Sequence, residues 1–270
     1  RLVRHAPNAD TEIEWSPERY SIALARLDGF DAVVHLAGES IAEGRWTDEK
    51  KKRIRESRVN GTRLLGDALA NLTIPPRTFV SASAIGYYGN RGDELLNETS
   101  RPGNDFLSGV CVEWEKATAL ASEKGIRVVN CRFGIILDAK GGALKKMLPP
   151  FRMGVGGKIG SGKQWMSWIA LDDVVGGIRF ALVHDSIRGP VNFVAPAPVT
   201  NARFTTTLGK VLSRPTIFPI PAFGLRLAFG EMADALLLSS QRVESAVLQN
   251  SGYLFKYAQL EAALRHVLKN

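Results

Sequence analysis

The stretch from Thr78 to Gly89, which reads TFVSASAIGYYG, constrains the fold more than any other part of the sequence. Its β-forming and small residues predict a short buried strand that breaks at two glycines. In an open parallel sheet, ligands bind just beyond the carboxyl ends of the strands. The hydroxyl of Ser83 is therefore expected to face a bound substrate. The alternative is that the small residues around Ser81 and Ser83 only let a helix pack closely against the strand.

Segments typical of strands and helices alternate on both sides of this stretch. This alternation predicts an α/β fold with a doubly wound parallel sheet and right-handed crossovers. The C-terminal part, residues 223–269, is predicted to be mostly helical. Besides residues 78–89, strands are predicted at 31–38, 127–133 and 191–194, and helices at 20–27, 47–71, 113–124, 141–151 and 172–184.

Composition narrows the function classes. The net charge of +8 permits a polyanionic partner. However, the densest basic run, residues 50–55, has no interleaved aromatic residues and fits a solvated helix face, which disfavours nucleic acid. The four histidines show no metal-ligand spacing, so no metal site is expected. The sequence contains no apolar run of the roughly 18 residues that span a bilayer, so no membrane contact is expected. The two cysteines favour a reducing compartment and predict a cytoplasmic protein.

Several motifs together resemble one family, the extended short-chain dehydrogenases/reductases. More closely, the chain resembles their atypical epimerase/dehydratase-like branch with a C-terminal domain of unknown function (DUF1731). The resemblance covers essentially the whole chain and implies a Rossmann-like sheet with a small, mainly helical C-terminal substrate lobe. The motifs that carry it are DAVVHLAG at 31–38, SAS–YYG at 81–89, RFG at 132–134, GSGKQW at 160–165, WIALDD at 168–173, MLPPFR at 147–152, PVTN at 198–201, GEMA at 230–233 and SQRV at 240–243.

The resemblance implies two domains. Residues 1–189 are expected to form the dinucleotide-binding domain and residues 190–270 the C-terminal lobe, with a DUF1731-like region at about 218–268. The family's first strand and its glycine-rich phosphate-binding turn have no counterpart in this sequence, so an N-terminal segment is expected to be missing.

The family's usual catalytic set is a Ser and a Tyr-x-x-x-Lys pair, and only the Ser has a clear counterpart. That is Ser83. The chain contains no Tyr-x-x-x-Lys. If Glu115 is the acidic residue that closes that motif, the lysine position falls on Cys111 and the tyrosine position on Leu107. If it is Glu113 instead, the two positions fall on Gly109 and Asp105. Arg58 stands where the family carries Asn, so it is predicted to supply the positive charge of the absent lysine.

The resemblance also implies NADP as the cofactor, with NAD as the alternative. Arg4, just past the second strand of the family's fold, is expected to meet the 2′-phosphate, with help from His5. The alternative for Arg4 is an ordinary surface cation. The predicted catalytic residues are Ser83 and Arg58; the predicted cofactor-binding residues are Arg4, His5, Leu36, Ala37, Gly38, Arg58, Ser81 and Arg132; and the predicted substrate-pocket residues are Tyr88 and Trp165.

The function that follows is an NADP-dependent oxidoreductase or a nucleoside-diphosphate-sugar epimerase-like enzyme. Its substrate would be a small molecule, either a nucleotide sugar or a carbonyl compound, and a homodimer is compatible with the sequence. The alternative is a cofactor-binding scaffold or regulator, for example of cell division, that has lost catalysis. The absent Tyr-x-x-x-Lys pair favours this alternative, whereas Ser83 and Arg58 favour the enzyme.

Overall fold

A four-stranded parallel sheet lies at the centre of the computed structural model, which describes residues 1–269. In chain order the strands are β1 (Leu2–Val3), β2 (Ile13–Ser16), β3 (Ser21–Ile22), β4 (Ala32–His35), β5 (Thr78–Ala84), β6 (Leu95–Leu96), β7 (Arg127–Phe133), β8 (Ile135–Leu137), β9 (Trp165–Met166), β10 (Trp168–Ala170), β11 (Gly189–Phe193), β12 (Val199–Thr200) and β13 (Arg242–Val243). The central sheet has the order β11-β7-β5-β4, and all of its pairs are parallel.

Helices connect the strands of this sheet and cover both of its faces. They are α1 (Asp48–Ala70), α2 (Phe106–Lys116), α3 (Ala119–Glu123), α4 (Gly142–Arg152), α5 (Leu171–Val183), α6 (Asn201–Leu212), α7 (Ala222–Phe229), α8 (Glu231–Ala233), α9 (Ala246–Asn250) and α10 (Leu260–Val267). A π-helical turn, Asp234–Leu238, follows α8. Successive residues of a strand point to opposite faces. Accordingly, Phe79 of β5 packs in a cluster with Leu65 of α1, while Val80 packs in another with Ile178 of α5. The predicted α/β, doubly wound parallel sheet is confirmed.

The long helix α1 begins where its sequence predicts. Thr47 is the N-cap residue, and its side-chain oxygen accepts a hydrogen bond from the backbone N–H of Lys50 at 3.2 Å. This bond satisfies one of the donors that a helix start leaves without an intrahelical partner. Asp48 and Glu49 occupy the first turn, where acidic side chains complement the helix dipole. The helix thereby carries Arg58, three turns further on, to the edge of the sheet described below.

Some predicted helix bounds are wrong. Residues 20–27 were predicted to be helical. Instead, β3 within this range pairs antiparallel with β2, with Trp15 opposite Ile22, and a single 3₁₀ turn, Leu24–Arg26, follows. Tyr20 has φ of +50° between the two strands, which a helix does not allow. The helix predicted at 113–124 starts earlier, because Asp105 accepts a hydrogen bond from the Ser108 N–H and caps α2. The predicted single helix is interrupted, because α2 ends at Lys116 and α3 begins at Ala119.

The chain after β11 packs at the carboxyl edge of the central sheet. β13 pairs in parallel with β6, which follows the end of β5. In addition, the side-chain amide of Gln241 donates to the carbonyl of Ile85, immediately beyond β5, at 3.2 Å. The backbone N–H of Trp165 donates to Ser240 Oγ at 2.9 Å. The C-terminal region therefore lies next to the end of β5 and Trp165. That it forms the substrate side stays a prediction.

The division at residues 189 and 190 stays a prediction. The strand β11 begins at Gly189 and pairs with β7 of the central sheet. The predicted lobe runs to residue 270, which lies outside the described residues. None of the helices found in residues 1–269 combines the length and the apolar character that crossing a bilayer requires.

Asp173, in the first turn of α5, anchors the C-terminal region through several hydrogen bonds. Its carboxylate is buried and accepts from the backbone N–H of Lys256 at 2.7 Å, from that of Tyr257 at 2.9 Å and from the hydroxyl of Tyr253 at 3.2 Å. Its neighbour Asp172 is exposed, with its carboxylate 3.6 Å from the ammonium of Lys256. The buried Asp173 carboxylate is therefore expected to contribute much more to stability than the exposed Asp172 carboxylate.

We expect Asp173→Ala to lower the free energy of unfolding by about 3 kcal/mol or more, because it leaves buried donors without a partner. The measurement is urea unfolding, with Asp172→Ala as the matched control. The exposed control should cost no more than about 1 kcal/mol. Equal losses in the two variants would show that Asp173 does not hold the C-terminal region in place.

Candidate functional site

The strand ends at the carboxyl edge of the sheet bring several polar groups together. In the parallel register, Ser83 of β5 lies opposite Arg132 of β7, and His35 at the end of β4 lies opposite Ser81. The edge of such a sheet is where α/β proteins bind their ligands. Two of the predicted site residues, Ser83 and Arg132, are thus direct neighbours.

A buried ion pair holds this edge together. The guanidinium of Arg132 forms a fork with the Glu115 carboxylate, with Nε to Oε1 and Nη2 to Oε2 both at 2.8 Å. The Arg132 side chain is only 3% exposed and that of Glu115 13%. Burial alone would disfavour the charged guanidinium, but its hydrogen bonds to Glu115 raise the pKa of Arg132 above its ordinary value. The guanidinium also lies 3.5 Å from the centre of the Tyr87 ring. Arg132 is therefore a fixed cation that is enclosed by the protein.

Ser83 is attached to the same ion pair. Its hydroxyl donates a hydrogen bond to Glu115 Oε1 at 2.7 Å. Glu115, on α2, is the important residue of the site that the sequence reasoning missed. A signal for it exists in the sequence, because an arginine inside the apolar strand RVVNCRF requires an acidic partner in the folded protein. Ser83 is itself only 3% exposed. With its proton engaged by Glu115, its oxygen keeps its lone pairs for a group arriving at the sheet edge.

Tyr88 lies behind the ion pair. It is fully buried, and its hydroxyl donates to Asn192 Oδ1 at 2.7 Å and accepts from Arg132 Nη1 at 3.0 Å. Burial raises the pKa of Tyr88 to about 12. The ring is enclosed by the protein in this structure. That Tyr88 lines a substrate pocket stays a prediction.

Trp165, the other predicted pocket residue, is half-buried at β9. Its indole N–H donates to Asp93 Oδ1 at 2.7 Å, and the Arg242 guanidinium lies 4.6 Å from the centre of its ring. Trp165 thus lies between the loop after β5 and the C-terminal region. That Trp165 contacts substrate stays a prediction.

Arg58 reaches the sheet edge from α1. Its Nη2 donates to the Glu39 carbonyl at 3.0 Å, and its Nη1 donates to the Ile54 carbonyl at 3.1 Å. Burial lowers the pKa of Arg58 from its usual value. A Cβ placed on Gly38 would lie 3.4 Å from the Arg58 guanidinium carbon, so the backbone after β4 passes close to this cation. That Arg58 and Gly38 both bind the cofactor stays a prediction.

The positions of the absent Tyr-x-x-x-Lys pair also face this edge. Leu107 Cβ and Cys111 Sγ lie 3.6 and 3.8 Å from the place of a Cβ on Gly86, just beyond β5. Burial raises the pKa of the Cys111 thiol to about 12, so it stays protonated and is not a nucleophile at neutral pH. A leucine and a neutral thiol thus occupy the places where the family's tyrosine and lysine were expected.

The predicted cofactor-binding residues near β1 and β4 are open to solvent. Arg4 is half-exposed, 3.4 Å from Glu18, and its guanidinium lies 5.9 Å from the centre of the Trp15 ring. His5 is exposed at the surface. Leu36 is exposed and Ala37 half-buried after the end of β4.

Ser81 is different, because it is fully buried within β5 and its hydroxyl donates only a long hydrogen bond, 3.4 Å, to the Ala82 carbonyl. It lies opposite His35, the residue before Leu36, in the parallel register of β4 and β5. That Ser81 and Arg132 contact the cofactor stays a prediction.

A cavity beside α1 and the possibility of a metal site remain to be described. Lys51, Lys52, Arg55 and Arg63, from or near the basic run of α1, line a cavity of about 490 Å³ together with Phe106 and Glu113 of α2. This cavity lies between the two helices and not at the sheet edge. Across the described part of the chain, no group of three or more His, Cys, Asp or Glu side chains has a metal-binding arrangement.

A doubly wound parallel sheet with hydroxyl and cationic groups at its carboxyl edge is the architecture of dinucleotide-binding α/β proteins. The family model "NAD dependent epimerase/dehydratase family" matches residues 16–194, and the model "Domain of unknown function (DUF1731)" matches residues 220–267. The chain belongs to the NAD-dependent epimerase/dehydratase family and carries a DUF1731 domain at its C-terminal end. The resemblance found from the motifs is confirmed.

The relatives support this assignment over nearly the whole chain. An epimerase family protein of Mycobacterium bovis is 42% identical over 264 residues, which cover 98% of this chain and 87% of that protein. The mouse epimerase family protein SDR39U1 is 38% identical over 272 residues, with 99% of this chain and 90% of that protein covered.

Solved structures of relatives also support the family assignment. Human epimerase family protein SDR39U1, solved with NADPH, superposes with a TM-score of 0.91 at 34% identity, covering all of this chain and 90% of that one. A structure from Corynebacterium glutamicum described as a nucleoside-diphosphate sugar epimerase has a TM-score of 0.79 at 42% identity, and covers 99% of this chain and 52% of that one.

His35, at the end of β4, is expected to make the free energy of unfolding depend on pH. Its ring is buried against Trp15, with the ring centres 5.6 Å apart and Nε2 without a hydrogen-bond partner. Burial, and then the positive charge of Arg4, lower the pKa of His35 to about 4. Because its ordinary pKa is 6.5, the unfolded chain binds a proton more readily between these values than the folded chain does.

We therefore expect the free energy of unfolding to fall by about 2–3 kcal/mol between pH 7 and pH 4 on account of His35. The stabilisation is fully present above pH 6.5 and is lost as the pH falls toward 4. Denaturant unfolding at several pH values should show this part of the slope removed in His35→Asn and retained in the exposed control His5→Asn. An unchanged slope in His35→Asn would contradict the proposed cause.

Proposed function

We propose that the protein is an NADP-dependent oxidoreductase or epimerase-like enzyme that acts on a hydroxyl or carbonyl group of a small molecule. The observation that carries the proposal is the Ser83–Glu115–Arg132 arrangement at the carboxyl edge of the sheet. The family assignment and the NADPH in the solved human relative support the choice of cofactor. A nucleotide sugar or a simple carbonyl compound fits the proposed chemistry.

The residues that would hold the cofactor fit such a group. The backbone of Leu36 to Gly38 is accessible, and Gly38 leaves room beside the Arg58 guanidinium. Arg4 provides an exposed guanidinium, a group that matches phosphate geometry. In this proposal residues 1–189 carry the cofactor, and residues 190–270 contribute to the substrate side.

When bound, the cofactor supplies a hydride acceptor or donor. The protein's part is to hold the substrate oxygen and to move its proton. The Ser83 Oγ accepts a hydrogen bond from the substrate hydroxyl while its own proton points at Glu115 Oε1. The fork from Arg132 fixes the position of the Glu115 carboxylate, which in this scheme accepts the proton that Ser83 passes on.

Arg58 has a different part in this scheme. Its guanidinium stays charged at physiological pH and therefore stabilises negative charge without moving a proton. It stands beside Cys111, where the family's lysine was expected, and its positive charge partly offsets the burial of that thiol.

The preference for NADP is testable through Arg4. We expect calorimetry to show tighter binding of NADPH than of NADH, because the guanidinium meets the additional phosphate. Arg4→Ala should weaken NADPH binding about 10–100-fold, the usual effect of one charge-assisted hydrogen bond, and change NADH binding little. Arg19→Ala, an exposed arginine nearby, is the matched control. Equal affinity of the wild-type protein for both cofactors would contradict the role of Arg4.

The proton path is testable through Ser83. Once a substrate is found in a screen of carbonyl compounds and nucleotide sugars, Ser83→Ala should lower turnover about 10²–10³-fold, as the loss of one transition-state hydrogen bond does. Arg58→Met should also lower turnover. Tyr88→Phe is the comparison variant: it removes a hydroxyl that is hydrogen-bonded to Arg132 and Asn192 but lies outside the proposed proton path, so turnover should fall much less. A loss of turnover in Tyr88→Phe alone would identify a tyrosine as the proton donor instead.

A second function is favoured by a specific observation. Leu107 and the neutral Cys111 occupy the places of the family's tyrosine and lysine, which suits a cofactor-binding scaffold or regulator without catalysis. The same experiments separate the two. NADPH binding without turnover of any substrate in the screen favours the scaffold.

A further inference from the structure

The helix α7 is apolar around most of its circumference, yet none of its residues is buried. Its sequence is AFGLRLAF, and Phe223 and Leu227 are 74% and 79% exposed. A helix that is apolar on all sides is normally buried in a protein core or in a membrane. Something other than the described residues is therefore expected to cover α7.

Two loop segments extend this apolar surface. Residues 152–160 run beside residues 214–220, with the Ile220 N–H donating to the Lys158 carbonyl at 2.8 Å and the Gly160 N–H donating to the Ile220 carbonyl at 2.9 Å. α7 follows directly. We call the exposed apolar side chains of these segments and of α7 the apolar patch; they are Met153, Val155, Ile217, Phe218, Phe223 and Leu227.

The part of the chain that contains the apolar patch is mostly positive, although Asp234, just after α7, pairs with Arg226 of that helix. Residues 139–230 contain twelve Lys and Arg but only three Asp and no Glu, whereas the rest of the chain carries 23 Lys and Arg against 24 Asp and Glu. The whole positive excess of the protein thus lies within residues 139–230, which include the segments of the apolar patch. Arg152, Lys158 and Arg214 are exposed and belong to the same two segments as the apolar side chains.

We propose that the apolar patch docks on the surface of an anionic lipid bilayer. Exposed aromatic and aliphatic side chains flanked by cations are the combination that binds at such an interface, where the apolar groups enter the headgroup region and the cations meet lipid phosphates. The expectation of no membrane contact, drawn from the sequence, considered only segments that span a bilayer. A surface contact needs no such segment.

Two features favour a bilayer over other occupants. A second copy of this chain would bring the same positive excess against itself, which opposes a symmetric interface. In addition, because none of the α7 residues is buried, the helix offers apolar groups that can insert, as a bilayer surface requires, whereas an apolar peptide would need a groove to receive it.

The test is co-sedimentation with lipid vesicles. The wild-type protein should bind phosphatidylcholine vesicles enriched in phosphatidylglycerol, bind pure phosphatidylcholine vesicles weakly, and lose binding as salt is raised. The triple variant Arg152→Gln, Lys158→Gln, Arg214→Gln should bind anionic vesicles about 100-fold more weakly, because each cation near the surface strengthens binding roughly fivefold.

The apolar contribution is tested by Phe223→Ser with Leu227→Ser, which should weaken binding at least about tenfold. Val183→Ser with Leu254→Ser, also exposed but outside the apolar patch, is the matched control and should bind like the wild type. Circular dichroism and NADPH binding in each variant verify that it is folded. Equal vesicle binding in all variants, or no binding by the wild type, would overturn the proposal. So would a dimer seen by light scattering that Phe223→Ser with Leu227→Ser disrupts.

Discussion

The ion pair between Arg132 and Glu115 is the interaction on which the rest of the candidate site depends. It joins β7 to α2 across the end of β5, and both Ser83 and the hydroxyl of Tyr88 are hydrogen-bonded to it. Two charges enclosed at this depth are costly unless they are paired and hydrogen-bonded. Both conditions are met here, so the pair sets the position of every group attached to it.

The same network connects the sheet edge to the C-terminal region. Asn192, which accepts from Tyr88, also donates through its side-chain amide to the Glu244 carbonyl at 2.9 Å, and its backbone N–H donates to Glu98 Oε1 at 3.1 Å. Since Glu244 follows β13, the position of the lobe is coupled to the ion pair through hydrogen bonds and not only through apolar packing. Groups on both sides of the proposed substrate site are thus held by one set of contacts.

Much of the fold was predictable because its signals are local. The strand β7 matches its predicted range, Arg127–Phe133, and Thr47 caps α1, because apolar runs and capping side chains act on adjacent residues. The role of Glu115 was not predictable from spacing, because its partner Arg132 lies 17 residues away in another element. Likewise, no helix forms at residues 20–27, because Ser21 and Ile22 pair with β2 instead. The exposure of α7 was not predictable either, because it depends on how the distant parts of the chain pack.

The measurement that tests this account most directly is a double-mutant cycle on Glu115 and Arg132, with unfolding free energies measured for Glu115→Ala, Arg132→Ala and the double variant. The exposed pair of Arg55 and Glu113, 2.7 Å apart, joins the same helix α2 to α1 and is the matched reference. The account predicts that each single change at the buried pair costs about 3–5 kcal/mol and that much of this cost is shared between the two residues. The exposed pair should show a coupling below about 1 kcal/mol. A coupling at Glu115 and Arg132 no larger than that of the exposed pair would contradict the central place given to the ion pair.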